Sequence, residues 1–435
     1  MQCGGQEMAL EDYKHDMLRC TRCSYCKWLP WENFRDTDFI KNCPAVSRYN
    51  WHAYSAGGKF NMALSLLEGR LEYSDALLDA VYRCQMDGSC DVSCKSIQDI
   101  EPLQSMQALR IKCVEDGHAI PAHMAIVDNL RKEDNMMQGS KDDRGKWAEG
   151  LNVKELMTEK AEVYFHAGCQ YCYEEELWPV ARTGLSLLRD AGVDIGILGS
   201  SEICCGGRAY EMGFEGELNR YASRHEKILK TAGVKKLVTP CAHCYQAMKV
   251  LYEKINKNMG IEILHMTQYL DQLIKEGKIR PRKKVPLSVT YHDPCHLGRL
   301  AEPWIPWKGK EVKVLGQMII HDPPKKFRRG ANGVYDIPRN VLQSIPDLNF
   351  VEMPRIRDYG WCCGAGGGVK DAYPDFAIWT AAERIREAQS VGAEAIVSAC
   401  PTCKQNFSDA VKETGEKIKV LDVIELVQES ISSVH

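Results

Sequence analysis

Cysteines carry the clearest chemistry in this sequence. It has 20 of them in 435 residues, and ten fall into two copies of one pattern. Each copy has a single cysteine, an adjacent pair followed by glycine, and a Cys-x-x-Cys. The first copy is Cys169, Cys204, Cys205, Cys241 and Cys244, and the second is Cys295, Cys362, Cys363, Cys400 and Cys403. Five thiolates exceed what one tetrahedral metal ion uses. Each copy is therefore predicted to hold several metal atoms.

Each part of the pattern has a chemical reason. A Cys-x-x-Cys between a strand and a helix lies at the helix N-terminus, where free N–H groups favour thiolate over thiol. Adjacent cysteines serve one ion only with strain, but they can ligate neighbouring irons. The glycine after each pair, Gly206 or Gly364, lets the backbone approach the metal closely. Structural zinc at the two Cys-x-x-Cys pairs is the main alternative, and it leaves the paired cysteines without a role.

Composition narrows the class of protein. With 44% hydrophobic and 26% charged residues, the chain can bury a sizeable core and is expected to form two or three domains. A net charge of -3 gives no case for nucleic acid. No apolar run suits a transmembrane helix, and residues 1–7 do not resemble a secretory signal. We therefore expect a cytoplasmic protein, where metal ligation is favoured over a disulfide framework.

The second part of the chain is a repeat. Residues 161–275 and 287–430 run through the same order of strand, paired cysteines, charged helix, strand and Cys-x-x-Cys. Residues 232–244 correspond to 391–403, and residues 261–265 to 418–422. Short β-branched runs that alternate with helices indicate βαβ units. The sequence predicts an α/β fold with two pseudo-symmetric parallel-sheet domains, at 161–285 and 286–435.

One insertion separates the two copies. Between the single cysteine and the pair lie 34 residues in the first copy and 66 in the second. The segment near 300–332 accounts for the difference. Its basic and aromatic residues are Trp304, Trp307, Lys308, Lys310, Lys313, Lys325, Lys326, Arg328 and Arg329. It is either a solvated surface loop or a docking element for an acidic partner or an anionic substrate.

The doubled pattern resembles the cysteine-rich CCG domains found in the B and D subunits of heterodisulfide reductases. The motifs at 291–299, 362–368 and 398–403 carry this resemblance, which extends from about residue 160 to the end. The same domains occur in iron-sulfur subunits of glycolate, lactate and glycerol-3-phosphate dehydrogenases. The resemblance implies that the five cysteines of each complete copy bind a noncubane [4Fe-4S] cluster. It also implies that the paired clusters bind and split a disulfide.

The N-terminal third contains two ferredoxin-like runs. Cys20, Cys23 and Cys26 are followed by Cys43-Pro44, and the second run has Asp87 in place of its second cysteine. Two-cluster ferredoxins exchange their fourth ligands. On that basis one cubane cluster takes Cys20, Cys23, Cys26 and Cys94. The other takes Cys43, Cys84 and Cys90, with Asp87 as a candidate oxygen ligand. Asp87 leaves three alternatives: a labile iron site, a [3Fe-4S] cluster, or loss of this cluster.

The segments between these runs, 62–69 and 73–83, are helical in period. The region resembles the α-helical ferredoxin domain that forms the C subunit of heterodisulfide reductases, and its fusion to a CCG pair is the layout of the D subunit. We therefore expect a ferredoxin-like domain at 1–125 and a linker at 126–160.

Six further residues have open roles. Cys172 is expected to be a bystander, because the second repeat has Gly298 at the matching position. Cys3 is expected to be a free thiol near the N-terminus, and Cys113 a small residue on a helix. His243, His292 and His296 are candidate proton donors or structural hydrogen-bond partners.

These features predict an iron-sulfur oxidoreductase that passes electrons from two cubane to two noncubane clusters, about 16 irons in all, for disulfide/dithiol interconversion. The sequence shows no flavin or nicotinamide site. The electron donor is therefore expected to be a flavoprotein, another redox subunit or a carrier in a hetero-oligomeric complex, through which any membrane contact would run. The alternatives are an electron-transfer subunit of a flavoprotein dehydrogenase and a zinc-binding interaction module.

Overall fold

A computed structural model describes residues 9–30, 32, 34–303, 305, 307–316 and 318–431. Cys3 and Trp304 lie outside the described residues. The part before residue 150 is helical. Its α-helices are α1 (Lys14–Arg19), α2 (Pro44–Tyr49), α3 (Ala56–Leu67), α4 (Asp75–Tyr82), α5 (Ser89–Cys94), α6 (Pro102–Glu115) and α7 (Pro121–Glu133). Short 3-10 helices cover Leu10–Tyr13, Tyr25–Lys27, His52–Tyr54 and Lys141–Ala148.

Local sequence explains where these helices begin. The Ser55 hydroxyl accepts a 3.1 Å hydrogen bond from the Gly58 N–H at the start of α3, and Ser74 caps α4 in the same way. Prolines at the first positions of α2, α6 and α7 have no N–H to leave unpaired. Helices α3 and α6 pack together and bury Phe60 and Leu109. The result is a small helical core around the first cysteines.

The first repeat contains a five-stranded parallel sheet of order β1-β3-β2-β4-β5. Its strands are β1 (Lys154–Glu155), β2 (Val163–Phe165), β3 (Ile195–Ile197), β4 (Lys236–Thr239) and β5 (Glu262–His265). Its helices are α8 (Cys169–Tyr173), α9 (Trp178–Asp190), α10 (Gly207–Glu211), α11 (Glu215–Ala232), α12 (Ala242–Gln246), α13 (Tyr252–Lys254) and α14 (Met266–Lys275). A π-helical turn, Ala247–Leu251, joins α12 to α13.

The second repeat contains a four-stranded parallel sheet and a separate hairpin. Its strands are β6 (Ser288–Tyr291), β7 (Lys310–Val314), β8 (Met318–Asp322), β9 (Asn349–Phe350), β10 (Ala395–Ser398) and β11 (Lys419–Asp422). Its helices are α15 (Asp336–Gln343), α16 (Val369–Ala372), α17 (Pro374–Ser390), α18 (Pro401–Thr414) and α19 (Val423–Ser430). The sheet order β11-β10-β6-β9 repeats the order β5-β4-β2-β3 of the first sheet. The predicted fold class is confirmed.

The two sheets share one hydrophobic core. Strands β2 and β10 are buried along their whole length, as expected of parallel strands covered by helices on both faces. One continuous cluster of buried side chains includes Phe165 on the first sheet and Val397 on the second. Helix α9 packs against α19, and α14 packs against α15. These contacts hold the two cysteine patterns in a fixed relation.

The segment predicted as a linker, 126–160, is built into the fold. It contains most of α7, the 3-10 helix Lys141–Ala148 and strand β1. Strand β1 pairs with β3, where Lys154 lies opposite Gly196. Arg144 and Trp147 of this segment are buried. The segment predicted as a linker is therefore structured, because its residues find partners in the folded first repeat.

The insertion contains an antiparallel hairpin, β7 with β8. Lys325 forms an ion pair of 2.7 Å with Asp99, which ties the hairpin base to the helical domain. The tip residue Leu315 is 88% exposed, and Met318, Ile319 and Ile320 are exposed as well. Such a concentration of exposed apolar side chains marks a surface for contact with another molecule.

Among the described helices, none has both the length and the apolar character that a membrane crossing requires.

Candidate iron-sulfur centres

The first cysteine group is Cys169, Cys204, Cys205, Cys241 and Cys244. Cys169 follows β2, Cys241 is the N-cap of α12 after β4, and Cys244 lies one turn into that helix. The thiols form a continuous chain of contacts. Cys169 interacts with Cys204, Cys204 with Cys205, and Cys244 with both Cys205 and Cys241. All five sulfurs therefore converge on one place in the fold.

The second cysteine group is Cys295, Cys362, Cys363, Cys400 and Cys403. Cys295 interacts with Cys362, Cys362 with Cys363, and Cys403 with both Cys363 and Cys400. The order of contacts is the same as in the first group. Backbone donors also correspond, because the Gly206 N–H lies 3.3 Å from the Cys204 Sγ and the Gly364 N–H lies 3.3 Å from the Cys362 Sγ.

The protonation pattern of both groups fits metal binding. Hydrogen bonds from Cys204 and Cys244 lower the pKa of Cys205 to about 6, and those from Cys362 and Cys403 lower the pKa of Cys363 to about 6. Hydrogen bonds to neighbouring sulfurs together with burial raise the pKa of Cys244, and burial together with the equivalent hydrogen bonds raises the pKa of Cys403. Five sulfurs in contact with one another can all be thiolates only when cations lie among them. The described cysteines form no disulfide.

Glycine makes room at the first group. A Cβ on Gly168 would lie 2.9 Å from the Cys244 Sγ, and the φ of Gly168 is +84°. Any other residue would push a sulfur away from the group and strain the backbone. The donor set, its burial and this close approach suit a multi-iron cluster in each group.

A buried ion pair lies beside the first cysteine group. The Arg144 guanidinium is 3.0 Å from Glu202 and 3.5 Å from the Cys169 Sγ. Burial alone would raise the pKa of Glu202, but His166 and Arg144 lower it to about 2. Cys172 also contacts Glu202, with 3.6 Å between Sγ and Oε1, so it belongs to this network and not to the five-sulfur chain. The positive charge of Arg144 favours thiolate at Cys169.

A buried histidine and a buried arginine lie beside the second cysteine group. The His292 ring lies against Cys363 and Cys403, with its ligand atoms within 4.8 Å of theirs. Its Nε2 has no hydrogen-bond partner among the described residues, and its Nδ1 is 3.3 Å from Arg384 Nε. Burial and the Arg384 charge hold the pKa of His292 well below its usual value. A neutral imidazole with a free ring nitrogen can therefore point at the sulfurs.

Glu211 joins the two groups across the repeat interface. Its Oε1 bonds to His296 Nε2, and its Oε2 lies 3.1 Å from His243 Nε2 and 3.2 Å from the Gly367 N–H. The two imidazole centroids are 3.4 Å apart. The Nδ1 of His296 lies 3.2 Å from the Cys295 Sγ. One carboxylate thus holds histidines that neighbour cysteines of both groups.

The contact that corresponds to the histidine pair on the other side of the repeat interface is made by uncharged side chains. Thr402, inside the second Cys-x-x-Cys, donates a 2.6 Å hydrogen bond to Gln170, which follows Cys169. His296 follows Cys295 and meets His243, which lies inside the first Cys-x-x-Cys. The two contacts are therefore equivalent by pseudo-symmetry. Their chemistry differs, because the contact of His243 with His296 contains titratable imidazoles, whereas the contact of Thr402 with Gln170 does not.

The first ferredoxin group is Cys20, Cys23, Cys26 and Cys94, and these residues line one small cavity together with His52 and Gly57. Burial raises the pKa of Cys26, and the Gly57 N–H at the start of α3 partly offsets that effect. Cys23 is exposed. The run and the distant Cys94 come together as the exchange of fourth ligands predicts.

The second ferredoxin group is Cys43, Cys84 and Cys90, with Asp87 beside them. Burial raises the pKa of Cys43 to about 12, and the charges of Cys84 and Asp87 act in the same direction. Cys90 is affected by the same two neighbours. These cysteines therefore lie close together, although burial favours the protonated form of Cys43 and Cys90.

Arg110 fastens this second ferredoxin group to both repeats. Its Nη2 donates to the Cys84 carbonyl at 2.7 Å, and its Nη1 donates to the carbonyls of Gly367 at 2.7 Å and Glu211 at 2.9 Å. Arg110 is fully buried. One guanidinium therefore spans the ferredoxin run, the glycine loop behind Cys363 and the residue that holds the histidine pair.

Sequence reasoning missed Arg110, Arg144, Glu202 and Glu211. None of them lies in a cysteine motif, and each contacts its partner across long sequence separations. The only available signal was proximity for Glu202, which lies two residues before Cys204. Cys113 lies buried on α6, as its expected role requires.

Known families match this arrangement. The 4Fe-4S dicluster domain matches residues 16–97, and the cysteine-rich CCG domain matches residues 163–249 and 320–408. The chain thus combines a domain of the 4Fe-4S dicluster family with two CCG domains. It binds 4Fe-4S clusters and is an iron-sulfur oxidoreductase.

Three relatives narrow this class. The chain is 31% identical over 423 residues to the D subunit of the dihydromethanophenazine:CoB–CoM heterodisulfide reductase of Methanosarcina mazei, covering 95% of this chain and 93% of the relative. It is 25% identical to the EtfAB:quinone oxidoreductase of Syntrophomonas wolfei, covering 95% and 58%. It is also 25% identical to the B subunit of the fumarate reductase (CoM/CoB) of Methanothermobacter marburgensis, covering 99% and 76%. The chain belongs to the family formed by the D subunits of heterodisulfide reductases.

Proposed function

We propose that this chain reduces a disulfide to two thiols, or catalyses the reverse reaction. The forward reaction breaks one S–S bond and consumes two electrons and two protons. The observation that carries the proposal is the pair of complete five-cysteine groups, which have the same order of sulfur contacts and are joined through His243, Glu211 and His296. A subunit that only conducted electrons would not need two complete groups with a proton-carrying contact between them.

Each cysteine group is proposed to hold one noncubane [4Fe-4S] cluster, and each ferredoxin group one cubane-type cluster. The clusters, when bound, supply stored electrons and iron that can bind sulfur. The protein supplies thiolate ligands, the N–H groups of Gly206 and Gly364, and the nearby charge of Arg144. A zinc-binding interaction module is not proposed, because the ferredoxin domain belongs to a 4Fe-4S family.

Protons are proposed to reach the nascent thiols through the histidine pair. Although burial opposes it, the charges of Glu211 and Cys295 raise the pKa of His296 well above its usual value. Burial and the charge of His296 lower the pKa of His243 to about 4. One proton therefore rests on His296, between the carboxylate and the second cysteine group. Glu211 keeps both rings in place for its transfer.

A cleft at the junction of the three domains supports access for a substrate. It is lined by Met86 of the ferredoxin run, by Glu211, Gln246 and Lys254 of the first repeat, and by Leu300 of the second. The Oε1 of Gln246 is buried and has no hydrogen-bond partner among the described residues. Lys254 adds positive charge. We propose that the substrate is a disulfide that carries anionic groups and enters through this cleft.

The contacts of Arg110 support an order of electron flow. The second ferredoxin group touches the glycine loop of the second cysteine group, whereas the first ferredoxin group lies nearer the surface at Cys23. We propose that electrons enter at the first ferredoxin group and pass through the second ferredoxin group to the second cysteine group. The first cysteine group then receives them last.

The donor is proposed to be a redox partner protein that docks on the hairpin. The hairpin combines exposed apolar residues, such as Leu315 and Ile319, with the exposed cations Lys308, Lys313 and Lys326. An acidic surface of the partner would complement these charges and speed association. A cytoplasmic location remains a prediction from the reduced cysteines.

Anaerobic purification with iron and sulfide counting, followed by EPR spectra with and without a disulfide, tests the proposal. We expect about 16 irons per chain and a spectrum that changes when a disulfide or its thiols are added. About eight irons, all in ordinary cubanes, would contradict the noncubane assignment.

A second candidate is an electron-transfer subunit of a flavoprotein dehydrogenase complex. The similarity to an EtfAB:quinone oxidoreductase favours it, because the name of that relative describes electron transfer to quinone and no disulfide substrate. Full iron content with no spectral response to any disulfide, together with rapid reduction by an electron-transferring flavoprotein, would select this candidate.

A further inference from the structure

Asp87 occupies the position of a missing cysteine in the second ferredoxin run, yet all of its carboxylate contacts are with other residues. Its Oδ1 accepts hydrogen bonds from the Ser89 N–H at 3.1 Å and from the Ser89 hydroxyl at 3.0 Å. Its Oδ2 accepts from Arg299 Nη2 at 3.1 Å. The intervening Gly88 has a φ of +75°, which turns the backbone so that Ser89 can reach back.

Arg299 belongs to the second repeat and is buried. Its Nε donates to the Asp87 carbonyl at 3.0 Å, and its Nη1 donates to the carbonyls of Asp358 at 3.0 Å and Gly360 at 2.6 Å. Asp87 is the only carboxylate within ion-pair distance of Arg299 among the described residues. The guanidinium therefore grips both the backbone and the side chain of Asp87, and it depends on that carboxylate for charge balance.

Iron ligation by Asp87 would compete with these contacts. If Oδ2 bound iron, it would share its negative charge with the metal, and the buried Arg299 would lose part of its charge compensation. If Oδ1 bound iron, it would turn away from the N–H and the hydroxyl of Ser89. Buried donors without an acceptor are unfavourable. Iron ligation by Asp87 would therefore disturb the contact between the ferredoxin run and the second repeat.

We propose that Asp87 is not an iron ligand but the counter-ion of Arg299, and that Cys43, Cys84 and Cys90 alone hold the cluster of the second ferredoxin group. One iron of that cluster then has no protein ligand from this run. It is the iron that leaves most readily, and in the four-iron form it takes an external ligand such as a thiolate.

The position of the ion pair gives it an electrostatic role. The charge of Asp87 acts on Cys90 and Cys43 of the ferredoxin group and on Cys362 of the second cysteine group. The charge of Arg299 acts on Cys295 and Cys362. The pair thus lies between the second ferredoxin group and the second cysteine group, where its charges act on cysteines of both.

Mild oxidation of the purified holoprotein with ferricyanide tests the proposal without any disulfide. Each labile four-iron cluster, in its 2+ state, would release one Fe²⁺ and pass one electron to ferricyanide, which leaves a [3Fe-4S]⁺ centre. We expect one three-iron EPR signal per chain in the wild type and the same amount in Asp87→Asn. Asp87→Cys supplies the missing thiolate and should abolish the signal.

Asp91→Asn is the matched control, because Asp91 is also buried, lies next to Cys90 and forms its ion pair with Lys95 instead. Both Asn variants remove one negative charge near Cys90, so both should raise the reduction potential of this cluster without changing its iron content. Loss of iron from Asp87→Asn but not from Asp91→Asn would overturn the proposal. A wild-type chain that forms no three-iron signal would overturn it as well.

Discussion

The two cysteine groups have the same frame and different surroundings. The sulfur contacts, the glycine N–H donors and the sheet order all correspond between the repeats. The charged neighbours do not correspond, because Arg144 and Glu202 lie beside the first group, whereas Arg384 and Arg299 lie beside the second. The repeat therefore gives both groups the same set of proposed metal ligands, and the neighbours give each group a different electrostatic environment.

The difference extends to the ferredoxin domain. Arg110 and the Asp87–Arg299 pair connect the second ferredoxin group to the second repeat. The contact of Arg110 with the first repeat is made at Glu211, which holds the histidine pair. Two halves of similar fold are thus proposed to have separate tasks, with electrons arriving at the second and protons held between them.

The largest effect is expected when equivalent cysteines of the two cysteine groups are replaced one at a time. Cys205→Ser and Cys363→Ser should each lose one cluster, about four irons, and reduction of the disulfide. In Cys205→Ser the second cysteine group should still be reduced by the donor. In Cys363→Ser the first cluster should remain but stay oxidised, because its electron source is gone.

Rapid-freeze EPR after mixing with the donor measures both variants. Reduction of the first cluster in Cys363→Ser at the wild-type rate would show that the two groups receive electrons independently.

Arg110 tests the junction itself. Arg110→Met leaves the carbonyls of Cys84, Gly367 and Glu211 without their buried donor, which should cost about 3–5 kcal/mol of stability and slow electron transfer. Arg110→Lys keeps the charge and some donors, so its stability should lie between that of the wild type and that of Arg110→Met. Thermal unfolding under anaerobic conditions provides the comparison, and an unchanged Tm in Arg110→Met would remove Arg110 from this role.

The helix caps that follow β5 and β11 offer an opposite pair at equivalent positions. Burial raises the pKa of Asp422 to about 7, so its cost to stability grows as pH rises from about 4 to 7. Burial lowers the pKa of His265 to about 4, so its cost grows as pH falls from about 6.5 to 4. Each side chain caps the helix that follows.

Replacing either cap with asparagine keeps a capping group and removes the titration. Asp422→Asn should gain about 3–4 kcal/mol at pH 7 and about 1.5–2 kcal/mol at pH 5, whereas His265→Asn should gain about 2 kcal/mol at pH 5 and little at pH 7. Tm measured across this pH range in both variants decides the matter. Equal pH slopes in the wild type and the variants would contradict the opposing charges.

The smallest effect is expected at Cys172. It contacts Glu202 and stands outside the sulfur chain, so Cys172→Ser should keep the full iron content and change stability by about 1 kcal/mol or less. Iron counting beside Cys205→Ser makes the contrast. A drop in iron would move Cys172 into the ligand set and end the correspondence with the second repeat.

Much of this molecule was readable from its sequence, because ligand spacing and strand pattern are local. The match of 232–244 to 391–403 predicted the paired sheets. The contacts of Arg110, Arg144 and Arg299 were not readable, since each depends on how separate domains pack. The segment 126–160 appeared to be a linker for the same reason, as its strand β1 acquires a partner only in the folded sheet.

The most direct test of the central claim is a stoichiometric reaction of the pre-reduced holoprotein with a disulfide that carries anionic groups. We predict two thiols for every two electrons withdrawn, together with EPR changes in the noncubane clusters at both cysteine groups. A chain with full iron content that releases no thiol, while its clusters stay reduced, would contradict the account.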